Sequence, residues 1–522
     1  MKPEHLVREY LPRDTAYTVS ANMIIVPLQA AQLLAICRQL YIEHKLPLRT
    51  VKAIHKPNGF DIFYIFSSPG SPYFIALRLH VSEKATAFPS IVEVANEAAQ
   101  YEREIHTFFG LMPDGDPDLR PFILQENWPV SQHPLRKDFA WNHRPKLANE
   151  PYDFHPLDGE GVYEIPLGPA YGGVNEPGHF RFSMVGEEVD QLELQLGYAH
   201  RGIEKLFEEI AFDNKIALAE QVSGDTSFSH ALAYCLAVEQ LLENSTPPQR
   251  AQYLRVIYSE LERVANHCGN IGNILNDTGF IFGASNGSRQ REQIMQLCER
   301  LTGSRFLRGV SCLGGVTKDI SPDAIAGIID ELTDFKRDFQ EWIAIADSTE
   351  TVMDRLHSTG VLKRQVAEDH GVVGLVGRAS GLSRDVRVQN PYAAYDKLPV
   401  KLNIVRETDG DAHARYRIRV REVSQSLGII MYALKGLPTG AIQASPQTAL
   451  IKNAYAIGLT EGHRGSIAYF IATDQHGIIS RVGIRDVSFL NWRALPYAAP
   501  GGLIDFTITN ASFNLSHAAH DR

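Results

Sequence analysis

Thr246-Pro247-Pro248 followed by QRAQYLRVIYSELERVANHCGNIGN is the stretch that most restricts what this chain can fold into. Apolar residues recur at helical spacing through the whole run, and a hydroxyl residue with prolines in the first turn marks its start. A helix this long needs neighbours along its length. Ser321-Pro322 opens another helical run in the same way, so the middle of the chain reads as a helical bundle.

The segments before it have a different period. An apolar helix-like run spans Leu33 to Tyr41, and then FDIFYIF and YFIALRLHV flank SSPGSP, which reads as a β-hairpin. In SIVEVANEAAQYEREIHTFFG, the residues Ile91, Val94, Ala98, Tyr101, Ile105 and Phe108 predict a helix that stops at Gly110. Periodicity then fades into DFAWNHRPKLANEPYDFHPLDGEG. The expected organisation is α+β, with a small α+β domain over residues 1–140, a linker at 141–161 and a large, mainly helical domain with peripheral β hairpins over 162–522. One such hairpin is HFRFSMV and VDQLELQL around GEE; another lies within GSIAYFIATDQHGIISRVGIRDVSF. A helix is expected near Glu422 to Lys435, and the apolar tail LIDFTITNASFNLSHAAHDR is expected to be buried.

At 522 residues the chain exceeds one ordinary core. A net charge of -10 argues against a nucleic-acid groove, which needs a concentrated basic face. No window reaches the roughly 18 apolar residues of a membrane span, and MKPEHLVREYLPRDT lacks a signal-peptide core. The chain is therefore expected to stay on the cytoplasmic side. Its five cysteines form no CxxC and suit free, buried thiols.

Within QVSGDTSFSHALAYCLAVEQ, Ser223 and Thr226 stand three apart just before an amphipathic run, a spacing that suits a ligand pair. The run FPSIVEVANEAAQYEREIHTFFG with PDLRPFIL and HPLRKDF resembles the 30 kDa subunit of respiratory complex I. Residues from about 162 onward resemble its 49 kDa subunit and, more closely, the large subunit of group 4 membrane-bound nickel-iron hydrogenases of the formate hydrogenlyase and hydrogenase-4 type. The carriers are GPAYGGVNEPGHFRF, GYAHRGIEKLFE, SFSHALAYCLAVE, SELERVANHCGNIG, CLGGVTKDI, GRASGLSRDVR, EGHRG and the closing HDR.

The resemblance implies a site and shows what has changed in it. Hydrogenases hold nickel and iron with two CxxC pairs. Those positions fall on Ser223 and Thr226, and on Ser516 and Ala519, so all four thiolates are absent and no metal ligand is expected. Complex I uses a His and a Tyr to hold a quinone, and these positions read Tyr171 and Gly224. Tyr171 still offers a phenol. Asp277 matches the acid that pairs with that His, Glu176 matches a proton-transfer glutamate of hydrogenases, and Arg464 matches the arginine over their bimetallic centre. Glu176, Asp277 and Arg464 are therefore the candidate catalytic residues. Tyr171, Ser223, Gly224, Thr226, His230 and Ser516 are the candidate substrate-binding residues.

Each has a plainer reading: Glu176 and Arg464 as loop salt bridges, His230 as a satisfied core histidine, Glu204 as an ion-pair partner where hydrogenases use a magnesium ligand. The terminal His that joins that ligand is Arg522 here. The YEREIH segment is expected to dock a neighbouring domain through its charged face.

Two functions follow from the resemblance. One is an oxidoreductase subunit, with no cofactor of its own, that takes electrons from a [4Fe-4S] cluster in a small iron-sulfur partner to a quinone or another acceptor. A ferredoxin-like subunit and an antiporter-like membrane arm would complete the assembly, with this chain peripheral to the inner or plasma membrane. The other is a redox-silent scaffold of an ion-translocating assembly. No nucleotide-binding glycine pattern is present, so any NADH would bind elsewhere.

Overall fold

The computed structural model describes residues 2–170, 176–242, 246–399, 402–445 and 449–522. Tyr171 lies outside the described residues.

The FDIFYIF run is apolar at every position but Asp61 because its strand is covered on both faces. It forms Gly59–Ser67, fourth in a five-stranded sheet ordered Thr18–Ser20, Met23–Leu28, Phe74–Ser82, Gly59–Ser67, Leu48–Lys56. The second and third strands are parallel and the other neighbours antiparallel. Side chains alternate between faces. Phe60, Ile62, Tyr64 and Phe66 join a core with the Ala30–Arg38 and Ala98–Phe109 helices, whereas Phe63 and Ile65 join the core of the helical bundle. Phe63 meets Tyr455 and Phe470 with ring centroids 4.8 and 5.2 Å apart.

The bundle is built from Gln249–Asp277, Ile281–Thr302, Pro322–Asp347 and Ala412–Lys435. The first two helices run so close that a Cβ on Gly287 would lie 2.5 Å from the Gly272 Cα. Beside the bundle, Tyr455–Glu461, Ser466–Thr473 and Ile479–Arg485 form an antiparallel meander of three strands, which includes the hairpin expected around DQHG. It is buried nearly throughout. The Ser227–Glu239 helix presses on it so tightly that a Cβ on Gly458 would sit 2.1 Å from the Ala233 carbonyl oxygen.

Three local expectations are corrected. The helix expected from Ile91 begins at Ala98, because the 91–97 turn is held by the Glu102 carboxylate accepting from the Ile91 N–H at 2.8 Å. Pro248, not Thr246, is the residue before the long helix, and it offers no side-chain cap. The Ser227–Glu239 helix is not amphipathic; all but one of its residues are buried, the exception being the partly covered Leu236. The apolar tail is largely covered, ending in the Leu503–Phe513 and His517–Asp521 helices.

Candidate functional site

Arg464 ties together the two segments that carry Ser223 with Thr226 and Ser516 with Ala519. Its EGHRG loop turns between two strands of the meander, where Gly465 and Gly374 pack backbone to backbone. A Cβ on Gly374, at φ +68°, would lie 1.9 Å from the Arg464 carbonyl oxygen. From that loop the Arg464 guanidinium donates to Asp225 Oδ1 at 2.9 Å and Oδ2 at 2.5 Å, and its Nε–H donates to the Asn514 carbonyl. The first pair surrounds Asp225; the second begins two residues after Asn514.

The hydroxyls at the ligand positions are mostly committed. Ser223 donates to Asp225 Oδ1 at 2.7 Å. Ser516 donates to Glu176 Oε2 at 3.0 Å and, as a helix N-cap, accepts from the Ala519 N–H at 3.1 Å. Glu176 Oε2 also accepts from the Ala518 N–H at 3.0 Å. Thr226 Oγ1 is buried without a hydrogen-bond partner among the described residues, and the Ala519 side chain has no ligating atom. A nickel-iron centre needs soft thiolates, so this donor set does not fit one.

Sequence reasoning missed Asp225, which stands between Ser223 and Thr226. Burial opposes its charge, but the Arg464 guanidinium outweighs that and holds the carboxyl well below the usual range. It also missed Glu262, which takes over the capping that Thr226 does not perform. The Glu262 carboxylate accepts from the Phe228 N–H at 2.8 Å and the Ser229 N–H at 3.2 Å, at the start of the Ser227–Glu239 helix. Burial pushes its pKa up to about 7, with those donors and the Ser229 hydroxyl acting the other way. A carboxylate inside SGDT facing the EGHRG arginine was the available signal for Asp225. Nothing local marks Glu262.

A polar cleft of about 370 Å³ opens beside this cluster, lined by Asp225, Asn266, Asn270, Asn273, Arg291 and Asn514, among others. Asn266, Gly269, Asn270 and Asn273 recur at helical spacing on one stripe of the long helix. Asn270 Nδ2 and Asn514 Oδ1 are buried with no hydrogen-bond partner among the described residues. Behind Asp225 lies a row of buried titratable groups. His463 Nε2 is 4.0 Å from Asp225 Oδ2, the His463 and His267 rings are 6.1 Å apart, and His267 Nε2 is 2.8 Å from Glu422 Oε2. Burial lowers the pKa of both imidazoles, that of His267 to about 4, so both are neutral at pH 7. Glu422 continues to Arg378 at 2.6 Å, and Arg378 to Glu461 at 2.9 Å.

Two candidates lie apart. Asp277 ends the long helix eleven residues beyond Asn266, about 16 Å along its axis. There its side chain accepts from Asn276, and burial raises its pKa. His230 is fully buried, with Nδ1 3.0 Å from the Tyr469 hydroxyl and Nε2 3.3 Å from Asp486 Oδ2, one layer behind Ser516. Among the described residues, a Cβ on Gly224 would meet only the Arg308 guanidinium, at 3.6 Å.

Glu204 is fully occupied by the protein. Its Oε1 accepts from Lys52 at 3.3 Å, Arg522 at 3.1 Å and the Ile484 N–H at 2.7 Å, and its Oε2 from Arg481 at 2.6 Å. Lys52 and Arg522 also hold Glu104, at 2.8 and 2.6 Å. Three internal cations already surround Glu204, so its carboxylate does not fit a magnesium ligand. Burial works against its charge, but Lys52, Arg481 and Arg522 hold its pKa far below the usual range. Glu104, from YEREIH, thereby ties the Ala98–Phe109 helix to the C-terminal Arg522.

Residues 26–145 match the family described as respiratory-chain NADH dehydrogenase, 30 Kd subunit, and residues 277–456 match the 49 Kd subunit family. Formate hydrogenlyase subunit 5 of Escherichia coli K12 is 31% identical over 475 residues, covering 90% of this chain and 83% of that protein. This chain belongs to the fused 30 kDa–49 kDa subunit family. Hydrogenase-4 component G of the same organism is 30% identical, covering 98% of this chain and 88% of its own length. A third member, an NADH-quinone oxidoreductase subunit of Phocaeicola vulgatus, is 30% identical over 402 residues, with 73% and 76% covered. The fused family thus spans hydrogenase-type and complex I-type subunits of multi-subunit assemblies. This chain carries a carboxylate-guanidinium pair, Asp225 with Arg464, between the Ser223–Thr226 and Ser516–Ala519 segments. No helix among its described residues is long and apolar enough to cross a membrane.

Proposed function

We propose that this chain is a peripheral subunit of a membrane-associated, complex I-like oxidoreductase. It takes electrons from a [4Fe-4S] cluster of a small iron-sulfur partner and passes them to a quinone or another small acceptor, with no nickel-iron centre. A ferredoxin-like subunit would feed that cluster, and a membrane arm of antiporter-like subunits would hold the chain at the cytoplasmic face. The observation that carries this reading is the cleft at Asp225 with the His463, His267 and Glu422 row behind it. Reducing a quinone takes two electrons and two protons. The amides and Arg291 offer hydrogen-bond donors to carbonyl oxygens, and a row of neutral imidazoles ending on a carboxylate is suited to resupplying protons.

A second reading, a redox-silent scaffold, is favoured by the Arg464 clasp, since a guanidinium held on both sides has little left for a substrate. The intact complex, purified from membranes, distinguishes the two. Inhibitor-sensitive quinol formation that falls in His463→Ala supports the first. Absence of quinol formation with every tested donor supports the scaffold. Stoichiometric nickel would overturn both.

A further inference from the structure

A second cleft, of about 560 Å³, opens between the Ala98–Phe109 helix, the 118–124 loop, the Glu188–Gln195 strand and the segment at 492–500. None of the candidate residues above lines it. On its wall Arg493 is partly buried, yet among the described residues its guanidinium makes one hydrogen bond, from Nη1 to the Asn96 carbonyl at 3.1 Å, and has no carboxylate within ion-pair distance. Arg103 faces the same space. It donates to the Arg120 and Pro121 carbonyls at 3.1 and 3.2 Å and lies 3.4 Å from Asp118.

The acids of this cleft do not answer that charge. Arg120 engages Asp118 at 2.9 Å and Glu193 at 3.0 Å, and Asp190 is exposed at the rim. Burial and the neighbouring Arg103 lower the pKa of Arg493, while Asp118, Tyr497 and Asp116 act the other way from beyond ion-pair distance. Gln100, 3% exposed, keeps Oε1 unpartnered on the same wall, while its Nε2 is 3.3 Å from His520 Nε2.

Aromatic rings stand on the same wall as Arg493. The rings of His370 and Tyr497 pack 4.7 Å apart, and burial together with Arg493 lowers the His370 pKa to about 4, so that ring is neutral. Trp492 and Phe122 line the cleft with them. A volume of this size lies in the range of small-molecule pockets, and a guanidinium beside aromatic faces is the usual means of holding an oxyanion on a planar body.

The structure assigns this cleft as a binding site for a small organic anion: a carboxylate or phosphate on a flat apolar body, its oxygens on Arg493 and Arg103 and its body against the exposed Tyr497 ring, which His370 backs. Trp492, buried in the wall of the cleft, donates from Nε1–H to the Ser516 carbonyl at 3.3 Å, which links this wall to the Ser516 segment.

The test is calorimetric titration of the full chain with phenyl phosphate, benzoate, inorganic phosphate and benzyl alcohol. One of the two aryl anions should bind at one site, at least tenfold more tightly than inorganic phosphate or benzyl alcohol; which one binds tells phosphate from carboxylate. Arg493→Gln should weaken it tenfold or more and Arg493→Lys recover part of the loss, with the melting temperature as the folding control. Tyr497→Ala, at a side chain 56% exposed and therefore safe for folding, should weaken the aryl anion and leave inorganic phosphate unchanged. The assignment fails if neither aryl anion binds the unaltered chain at millimolar concentration, if Arg493→Gln binds as tightly as the parent, or if Tyr497→Ala changes nothing.

Discussion

Asp225→Asn removes one charge and almost no volume from the clasp on Arg464. Both guanidinium nitrogens that now face carboxylate oxygens, at 2.9 and 2.5 Å, would face a neutral amide. Leaving one partner of a buried pair uncompensated costs about 3–5 kcal/mol. The Asp225 side chain keeps 29% of its surface on the cleft, where water can replace part of the lost interaction, so the lower end, about 3 kcal/mol, is expected. If a cooperative unit of about 360 residues unfolds with about 2.1 cal/mol/K per residue, its unfolding entropy is about 0.75 kcal/mol/K and the melting temperature falls by about 4 °C.

The sign of the pH dependence is also fixed. The folded pKa of Asp225 is depressed, so its contribution is present above the unfolded value near 3.9 and lost only as pH falls through the lower folded value. The deficit of Asp225→Asn should therefore be constant from pH 5 to 8. Scanning calorimetry over that range, with Arg464→Ala and the double variant to close a thermodynamic cycle, measures both quantities. A melting temperature within about 1 °C of the parent, a coupling energy near zero, or a deficit that shrinks between pH 5 and 8 would refute the reasoning.

Glu262, with its folded pKa raised to about 7, contributes stability below its unfolded value near 4.3 that is lost as pH rises through 7. Glu262→Gln should flatten the stability profile between pH 4 and 8, read from urea midpoints; an unchanged profile counts against the assignment. Glu204→Gln leaves three cations around one remaining carboxylate and should lower the melting temperature by several degrees, whereas magnesium or EDTA should leave the parent unmoved. A magnesium-dependent rise would reverse that reading. Gly374→Ala should displace the Arg464 loop and cost more than about 1 kcal/mol, since the left-handed backbone and the 1.9 Å approach both oppose a side chain.

The parts of the fold that were legible in the sequence are those held by local periodicity. The Gly59–Ser67 strand announced its double burial in a run that is apolar but for Asp61, and the Gln249–Asp277 helix announced itself over its whole length. The candidate site was legible only where spacing survived, as in Ser223 with Thr226. Asp225 took its meaning from Arg464, 239 positions away, and Glu262 from helix N–H groups 33 and 34 positions away, which no local pattern encodes. The start of the Ala98–Phe109 helix was misplaced for a related reason. Its upstream apolar residues keep helical spacing, but the Ile91 N–H is already taken by a side chain.

The cluster of Lys52, Glu104, Glu204, Arg481 and Arg522 has a practical corollary in ionic strength. Mobile ions screen exposed charges within about 8–10 Å at ordinary salt but reach buried pairs poorly, and all five side chains are nearly inaccessible. High-salt washing should strip neighbours held by surface charge while the small and large lobes stay joined, even after proteolytic cutting between them. Their union is thus written twice, once in the covalent chain and once in electrostatics that salt does not dissolve.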